Sequence, residues 1–271
     1  MKEGNLANMH RPPRTKLDFE FHLAEHCNLN CAGCDHFSPL APKLFPDFDA
    51  VCRDLRRLRE LFGAEGVGRI HLLGGEPLLN PKVEDYIRAV RDLFPDNRLE
   101  LVTNGLLLPK MPESFWDACR KRSVIIRPTK YPIALDYDRL ERCAAEHGVR
   151  FRYYNAEPIK TLYKLHLDTS GSQDPKASYC SCGMSNMCLM LKNGRIYTCP
   201  VIPNVDHFNR FFDGDFRVTD EDSIDIYGVS SGAEILEFVS HSVPFCRYCD
   251  TSNKEYGLPW HLSDRTTDEW I

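Results

Sequence analysis

Short apolar runs alternate with helical periods over the first 155 residues, and no other feature constrains the fold as tightly. Leu17 to Leu23 reads Leu-Asp-Phe-Glu-Phe-His-Leu, the alternation of a strand with one face buried. Asp49 to Phe62 repeats apolar residues at Val51, Leu55, Leu58, Leu61 and Phe62, a helical period. Arg69 to Leu73 is a short apolar run that stops at Gly74-Gly75. Pro81 to Phe94 opens with proline at a helix start and continues through Val83, Tyr86, Ile87, Val90 and Leu93. Leu99 to Val102 predicts a strand closed by Thr103-Asn104-Gly105, and Pro112 to Arg122 a helix. Val124 to Ile126 follows as a strand, then a helix from Tyr137 to His147 that Gly148 stops, then a strand from Val149 to Tyr153. Strands alternating with helices across short loops predict a parallel sheet with right-handed crossovers. The number of units falls short of a closed eightfold barrel. The expectation is therefore an α/β fold, a partial (β/α) TIM-like barrel of five to six strands. A dinucleotide-binding sheet is the structural rival, but no strand runs into a Gly-x-Gly-x-x-Gly turn. The polar motifs fall just after strands, where active sites sit in barrels and open α/β sheets.

The character changes after Asn155. Residues 155–180 read as irregular, and Cys188 to Cys199 as a hairpin about Asn193-Gly194. Asp213 to Asp225 is acidic and reads as a solvated loop; Ala233 to Ser240 reads as a short helix. The expected division is an N-terminal extension over 1–16, a barrel over 17–155, and a small C-terminal α+β unit over 156–271. The formal charge of −5 lacks the basic surplus of a nucleic-acid binder. No apolar run reaches the length of a membrane span, and residues 1–16 lack the apolar stretch of a secretory signal. The expectation is a cytoplasmic protein with no nucleic-acid or membrane partner. Twelve cysteines in a reducing compartment point to metal or redox chemistry rather than disulfides.

The cysteines are clustered. Cys52, Cys119 and Cys143 fall in helical patterns and read as small buried apolar residues. Cys27-x-x-x-Cys31-x-x-Cys34 offers three thiolates just past the first strand. Three thiolates can hold three irons of a [4Fe–4S] cube and leave the fourth open to a ligand. Structural zinc is the alternative, with His22, His26 or His36 as a fourth ligand.

Taken with that cysteine run, Gly74-Gly75-Glu76-Pro77 after the second strand and Thr103-Asn104-Gly105 after the third resemble the radical S-adenosylmethionine (radical SAM) superfamily. The resemblance covers about Leu17 to Asn155. It implies that Cys27, Cys31 and Cys34 hold the cube and that the amine and carboxylate of SAM chelate its open iron. It further implies that Gly74, Gly75 and Glu76 meet that amine, and that Thr103 and Asn104 lie near the ribose or adenine. Cleavage of SAM by the reduced cube would release a 5′-deoxyadenosyl radical. The family often places an aromatic residue before the third cysteine, over the adenine; here Gly33 stands there, and Phe37 is the substitute considered. Arg127, at the end of the fourth strand, would meet the SAM carboxylate or form an exposed salt bridge.

The C-terminal cysteines resemble the short auxiliary-cluster unit called Twitch. Gly194 to Cys199 and Cys246-x-x-Cys249 match its middle and end, and Cys180, Cys182 and Cys188 compete for its first ligand, with Cys182 best spaced. The implied set is Cys182, Cys199, Cys246 and Cys249 around one auxiliary [4Fe–4S] cluster; a Cys₄ zinc knuckle is the alternative. The whole looks most like the radical SAM dehydrogenases that oxidise a hydroxyl of an aminocyclitol or sugar, with an external donor such as flavodoxin or ferredoxin. Peptide modification (a cross-link, epimerisation or thioether) and a noncatalytic zinc module are the other readings. No catalytic base is assigned. Lys130, Tyr131 and His166 are candidates for converging strand-end loops, and Pro259-Trp260-His261 for a cap over the site or an anchor of the C-terminus.

Overall fold

A computed structural model describes residues 16–185 and 189–271. Residues 1–15 of the expected extension and Cys188 lie outside that description.

Strand β1 (Leu17–Ala24) is the centre of the sheet. Its odd residues Leu17, Phe19, Phe21 and Leu23 enter the main apolar core. Its even residues Glu20 and His22 are buried as well, at 2% and 3% exposure. The sequence alternation implied one buried face; both are closed, because the sheet curls and its polar side becomes an interior.

After β1 come α1 (Phe48–Phe62), β2 (Val67–Gly74), α2 (Val83–Leu93), β3 (Arg98–Thr103), α3 (Glu113–Lys121), β4 (Ile125–Pro128), α4 (Tyr137–Glu146) and β5 (Arg150–Phe151). Asp47 caps α1 by accepting from Ala50 N–H at 2.7 Å, and Asp136 caps α4 from Arg139 N–H at 2.9 Å. Each strand from β2 to β5 pairs in parallel with the one before it. From β1 to β5 the order runs in one direction, as in a barrel. Helix faces carrying Leu55, Leu58, Tyr86, Ile87, Phe115 and Leu140 cover its outer side.

The second half of the chain adds β6 (Leu162–Leu167), α5 (Pro175–Ser181), β7 (Leu189–Lys192), β8 (Arg195–Tyr197), α6 (Val201–Phe212), β9 (Ile224–Asp225), α7 (Gly232–Val239) and β10 (Cys249–Leu258). The Asn193-Gly194 hairpin forms as expected, both residues in the left-handed region. Its first strand, β7, pairs in parallel with the free edge of β1. Six parallel strands therefore stand side by side, five from the expected barrel and one from the hairpin expected in the C-terminal unit, and β8 and β9 extend them antiparallel.

Two expectations fail. The stretch 155–180 is not irregular: it holds β6, which pairs antiparallel with β10, and α5. The pairing that stabilises β6 lies far along the chain, and its half-buried residues show no apolar alternation. Strand β5 shrinks to two residues because its register with β4 spans only Ile125–Arg150 and Ile126–Phe151.

A second apolar core joins Phe37, just past the first cysteines, to Phe208, Phe216, Phe245, Tyr248 and Trp270. It ties the first cysteine loop to the C-terminal half.

Candidate functional site at the strand ends

The end of β1 runs into a loop bearing Cys27, Cys31 and Cys34, bent by left-handed backbone at Asn30, Gly33 and Phe37. The turn after β2 presses against it: Gly75 N–H donates to Ala24 O at 2.8 Å, and Glu76 N–H to His26 O at 3.0 Å. A Cβ on Gly75 would lie 2.1 Å from His26 O, and one on Gly74 would lie 2.3 Å from Ala24 O. Only glycine allows this approach.

Glu76 is fully buried and locks the second and third turns together. Its Oε1 accepts from Thr103 Oγ1 at 2.7 Å and from Leu78 N–H at 3.0 Å, and its Oε2 from Asn104 N–H at 2.8 Å. Burial pushes its carboxyl up to about 7, against these three donors. Thr103, buried at 3%, has its hydroxyl turned onto Glu76 rather than outward. Asn104 reaches the cysteine loop: its Nδ2 lies 2.7 Å from Asn28 Oδ1 and 3.6 Å from Cys27 Sγ.

Cys27, Cys31 and Cys34 are unbridged thiols close enough to feel one another's charge. Burial raises all three, Cys27 to about 11. Backbone N–H groups nevertheless aim at the sulfurs, Leu29 N–H at 3.4 Å from Cys27 Sγ and those of His36 and Ser38 toward Cys34. Sulfurs with donors already aimed at them, yet held neutral by burial, suit thiolates neutralised by a cationic centre. His22 and His36 are not placed as ligands. His22 Nε2 and His36 Nδ1 lie 2.7 Å apart, and Glu25, on the other side of His22, also holds Lys192 at 2.9 Å and His207 at 3.0 Å. Burial drives His22 down to about 4.

Tyr131 stands at the cysteines, with Trp260 against it at 5.4 Å between ring centroids. The C-terminal segment straps the cysteine loop: Ala32 N–H donates to His261 O at 3.1 Å, Ser263 N–H to Asn30 O at 2.8 Å, and Trp270 Nε1 to Cys34 O at 2.9 Å. Gly33 lies under this strap, where a Cβ would be 3.1 Å from Glu269 O. Trp260 thus caps the site while Trp270 anchors the core.

Other candidates lie elsewhere. Phe37 is 1% exposed and packs on Phe208 and Trp270, so it has no face for an adenine. Arg127 forms a buried salt bridge, not an exposed one: it grips Glu100 at 2.9 and 3.0 Å and lies over the Tyr154 ring. Glu100 also meets His71 at 2.9 Å, and His71 faces Glu20 across β1 and β2. Burial opposes the Glu100 charge, but His71 and Arg127 outweigh it and bring the carboxyl down to about 2. Sequence reading missed this polar row, although Glu20, His71 and Glu100 share one register line. Lys130 lies over Tyr137 and Tyr153, and His166 pairs with Glu255 on the β6–β10 sheet.

The second cysteine group closes on one cavity, lined by Cys182, Cys199, Cys246 and Cys249 with Met184 and Phe245. Cys180 does not line it. Cys182 follows α5, Cys199 precedes α6, Cys246 sits in the turn Pro244–Tyr248, and Cys249 starts β10. Burial raises Cys246 to about 11 and Cys199 much further, with the neighbouring thiols adding to it. The acidic stretch is not merely solvated: Asp222 is wholly buried and accepts Phe245 N–H at 2.6 Å, fixing the turn that carries Cys246. Among the described residues, no three His, Cys, Asp or Glu side chains converge as they would on a single metal ion. Cys52 and Cys119 are buried fillers, as expected, and Cys143 packs at the core's edge.

An open parallel barrel with three thiols at its strand ends, tied by a buried glutamate to the next two turns, defines a cluster-binding α/β core. Residues 22–126 match the model of the Radical SAM superfamily. That match implies a [4Fe–4S] cluster and S-adenosylmethionine, which the thiol trio fits. Molybdenum cofactor biosynthesis protein 1 of Bos taurus is 34% identical over 115 residues, 40% of this chain and 18% of the relative. GTP 3′,8-cyclase of Sulfurovum sp. (strain NBC37-1) is 34% identical over 108 residues, 37% of this chain and 30% of the relative. The chain thus spans less than a third of these curated relatives. Among solved structures, BtrN in complex with AdoMet and 2-DOIA superposes with a TM-score of 0.54 at 16% identity, covering 87% of this chain and 93% of BtrN. Native anSMEcpe with bound AdoMet gives 0.53 at 14% identity, covering 86% and 82%. Among the described residues no helix is long and apolar enough to cross a membrane.

Proposed function

We propose that this protein is a radical SAM oxidoreductase that dehydrogenates a sugar- or aminocyclitol-type alcohol. In this reading residues 156–271 form a Twitch-like unit holding an auxiliary [4Fe–4S] cluster as electron acceptor. The observation that carries the proposal is the cavity ringed by Cys182, Cys199, Cys246 and Cys249, in a chain whose fold parallels BtrN over most of both lengths. The curated relatives match two fifths of this chain or less, so their names do not carry a substrate to it.

Cys27, Cys31 and Cys34 would hold the first cube, with Gly74, Gly75 and Glu76 beside its open position and Asn104 against Cys27. When bound, cluster and SAM supply a 5′-deoxyadenosyl radical that takes a substrate hydrogen. The chain's own contribution is placement and dryness. Glu76 fixes the three turns relative to one another, and Tyr131 with Trp260 excludes water over Cys31. The buried row Glu20, His71, Glu100 and Arg127 gives the barrel interior a polar lining. A carbohydrate-like small molecule is the proposed partner, with an external donor such as flavodoxin or ferredoxin supplying electrons.

Anaerobic iron and sulfide counting tests the site: about eight irons are expected, falling to about four in the Cys27→Ala/Cys31→Ala/Cys34→Ala variant. Turnover of a polyol panel should couple 5′-deoxyadenosine to a carbonyl product. Zinc at the second site would end the auxiliary-cluster reading. Substrate C–H cleavage without a carbonyl would end the dehydrogenase reading, and a modified peptide product would put peptide modification in its place.

A further inference from the structure

Cys31 is the one thiol of the first group that side chains from two distant segments approach together. Tyr131 comes from the loop after β4, and Trp260 from the strap that follows β10. The strap is not a loose tail. It makes backbone bonds on both sides of Cys31, from Ala32 to His261 O and from Ser263 to Asn30 O, and Cys31 itself bridges Leu262. This holds Trp260 against Tyr131 beside the cysteine loop. Its Nε1 is buried and has no hydrogen-bond partner among the described residues. An indole N–H can only donate, and a buried donor left without an acceptor is costly. Both the indole N–H and the Tyr131 hydroxyl favour the thiolate form of Cys31.

We propose that Tyr131 and Trp260 are paired hydrogen-bond donors to the Cys31 thiolate, and that the C-terminal strap exists in part to set the reduction potential of the cluster held there. The physical reason is charge. Reduction adds an electron to the cluster, and donors aimed at a ligand sulfur stabilise the more negative state and raise the potential. The strap lies beside Gly33, where left-handed backbone disfavours a larger residue and a Cβ would stand 3.1 Å from Glu269 O. The C-terminal segment therefore supplies aromatic cover that the cysteine loop does not supply itself. The two rings are positioning residues: they act through Cys31.

The proposal rests on a cube at Cys27, Cys31 and Cys34, not on the substrate. The test is an anaerobic redox titration of the full-length, reconstituted protein, followed by electron paramagnetic resonance. The SAM-dependent change in the spectrum identifies the signal of the first cluster. Tyr131→Phe removes only a hydroxyl, and Trp260→Phe removes the indole N–H while keeping an aromatic ring. Each should make reduction roughly tenfold harder, a negative shift of about 59 mV for one electron, and the double variant should shift further. Trp260→His, which keeps a ring N–H, should recover part of the shift. Iron content stays at the wild-type level in Tyr131→Phe. An unchanged potential in iron-loaded Tyr131→Phe and Trp260→Phe overturns the donor role while leaving the cluster assignment standing. Loss of iron from Trp260→Phe with an unshifted Tyr131→Phe also overturns it, reducing the strap to packing. Absence of iron at the three cysteines in the wild type would instead overturn the underlying cluster reading.

Discussion

Glu76 offers a quantitative test of how dry the strand-end site is. Its carboxyl is fully buried, and burial raises it from the ordinary 4.5 to about 7 despite donation from Thr103, Leu78 and Asn104. A carboxyl raised on folding binds its proton more tightly in the native state. Its contribution to stability is complete below about pH 4.5 and is lost as the pH rises through about 7. Integrated over that window, the loss amounts to about 3 kcal/mol. Glu76→Gln keeps the shape, cannot ionise, and sets one amide N–H against existing donors, a penalty that does not vary with pH. The difference in unfolding free energy between variant and wild type should therefore move by about 3 kcal/mol in favour of the variant between pH 4.5 and 8. Its absolute offset is set by the amide mismatch. Urea denaturation of both metal-free proteins at half-unit pH steps, reduced and anaerobic, reads this directly. A pH-independent difference would show that the carboxyl ionises at its ordinary value and that water reaches the joint between the turns.

Three further outcomes follow from contacts elsewhere. Gly75→Ala forces a Cβ into His26 O, so the cysteine loop must move; iron bound at Cys27, Cys31 and Cys34 should fall by about half or more while the second site keeps its iron. Cys182→Ala should remove one cluster's worth of iron, about four atoms, and Cys180→Ala none; equal losses would refute the ligand set drawn from the cavity. Phe37→Ala should cost about 3–5 kcal/mol in denaturant melts, because Phe37 is 1% exposed and packs on Phe208 and Trp270; a change below about 1 kcal/mol would mean that the second core does not hold the cysteine loop.

Much of the site was legible in the chain itself. The cysteine run, Gly74-Gly75-Glu76 and Thr103-Asn104 lie next to strands that the apolar runs already marked, so their strand-end positions followed from local pattern. Two glycines, an acid and a turn are local requirements, and local requirements leave a local trace. Other readings failed where the deciding partner was remote. Phe37 looked free because the sequence near it does not show Phe208 and Trp270, which claim its ring. Arg127 looked like a ligand or an exposed ion because Glu100, on the neighbouring strand, is visible as a partner only once β3 and β4 are aligned. Strand β6 was missed because its pairing comes from β10, and Asp222 because the turn it caps lies 23 residues further on.

By itself the sequence determined the alternation of strand and helix, the parallel sheet, and the grouping of nine of the twelve cysteines into clusters, since these depend on period, turn chemistry and spacing within a few residues. Only the tertiary structure decided that both faces of β1 are buried, that among the described residues Cys182 rather than Cys180 joins Cys199, Cys246 and Cys249 at the second cavity, and that the C-terminal strap brings Trp260 to the cysteine loop. Burial and convergence are properties of segments distant in the chain, set by how the sheet curls and which elements pack across it, and no local window of residues contains them.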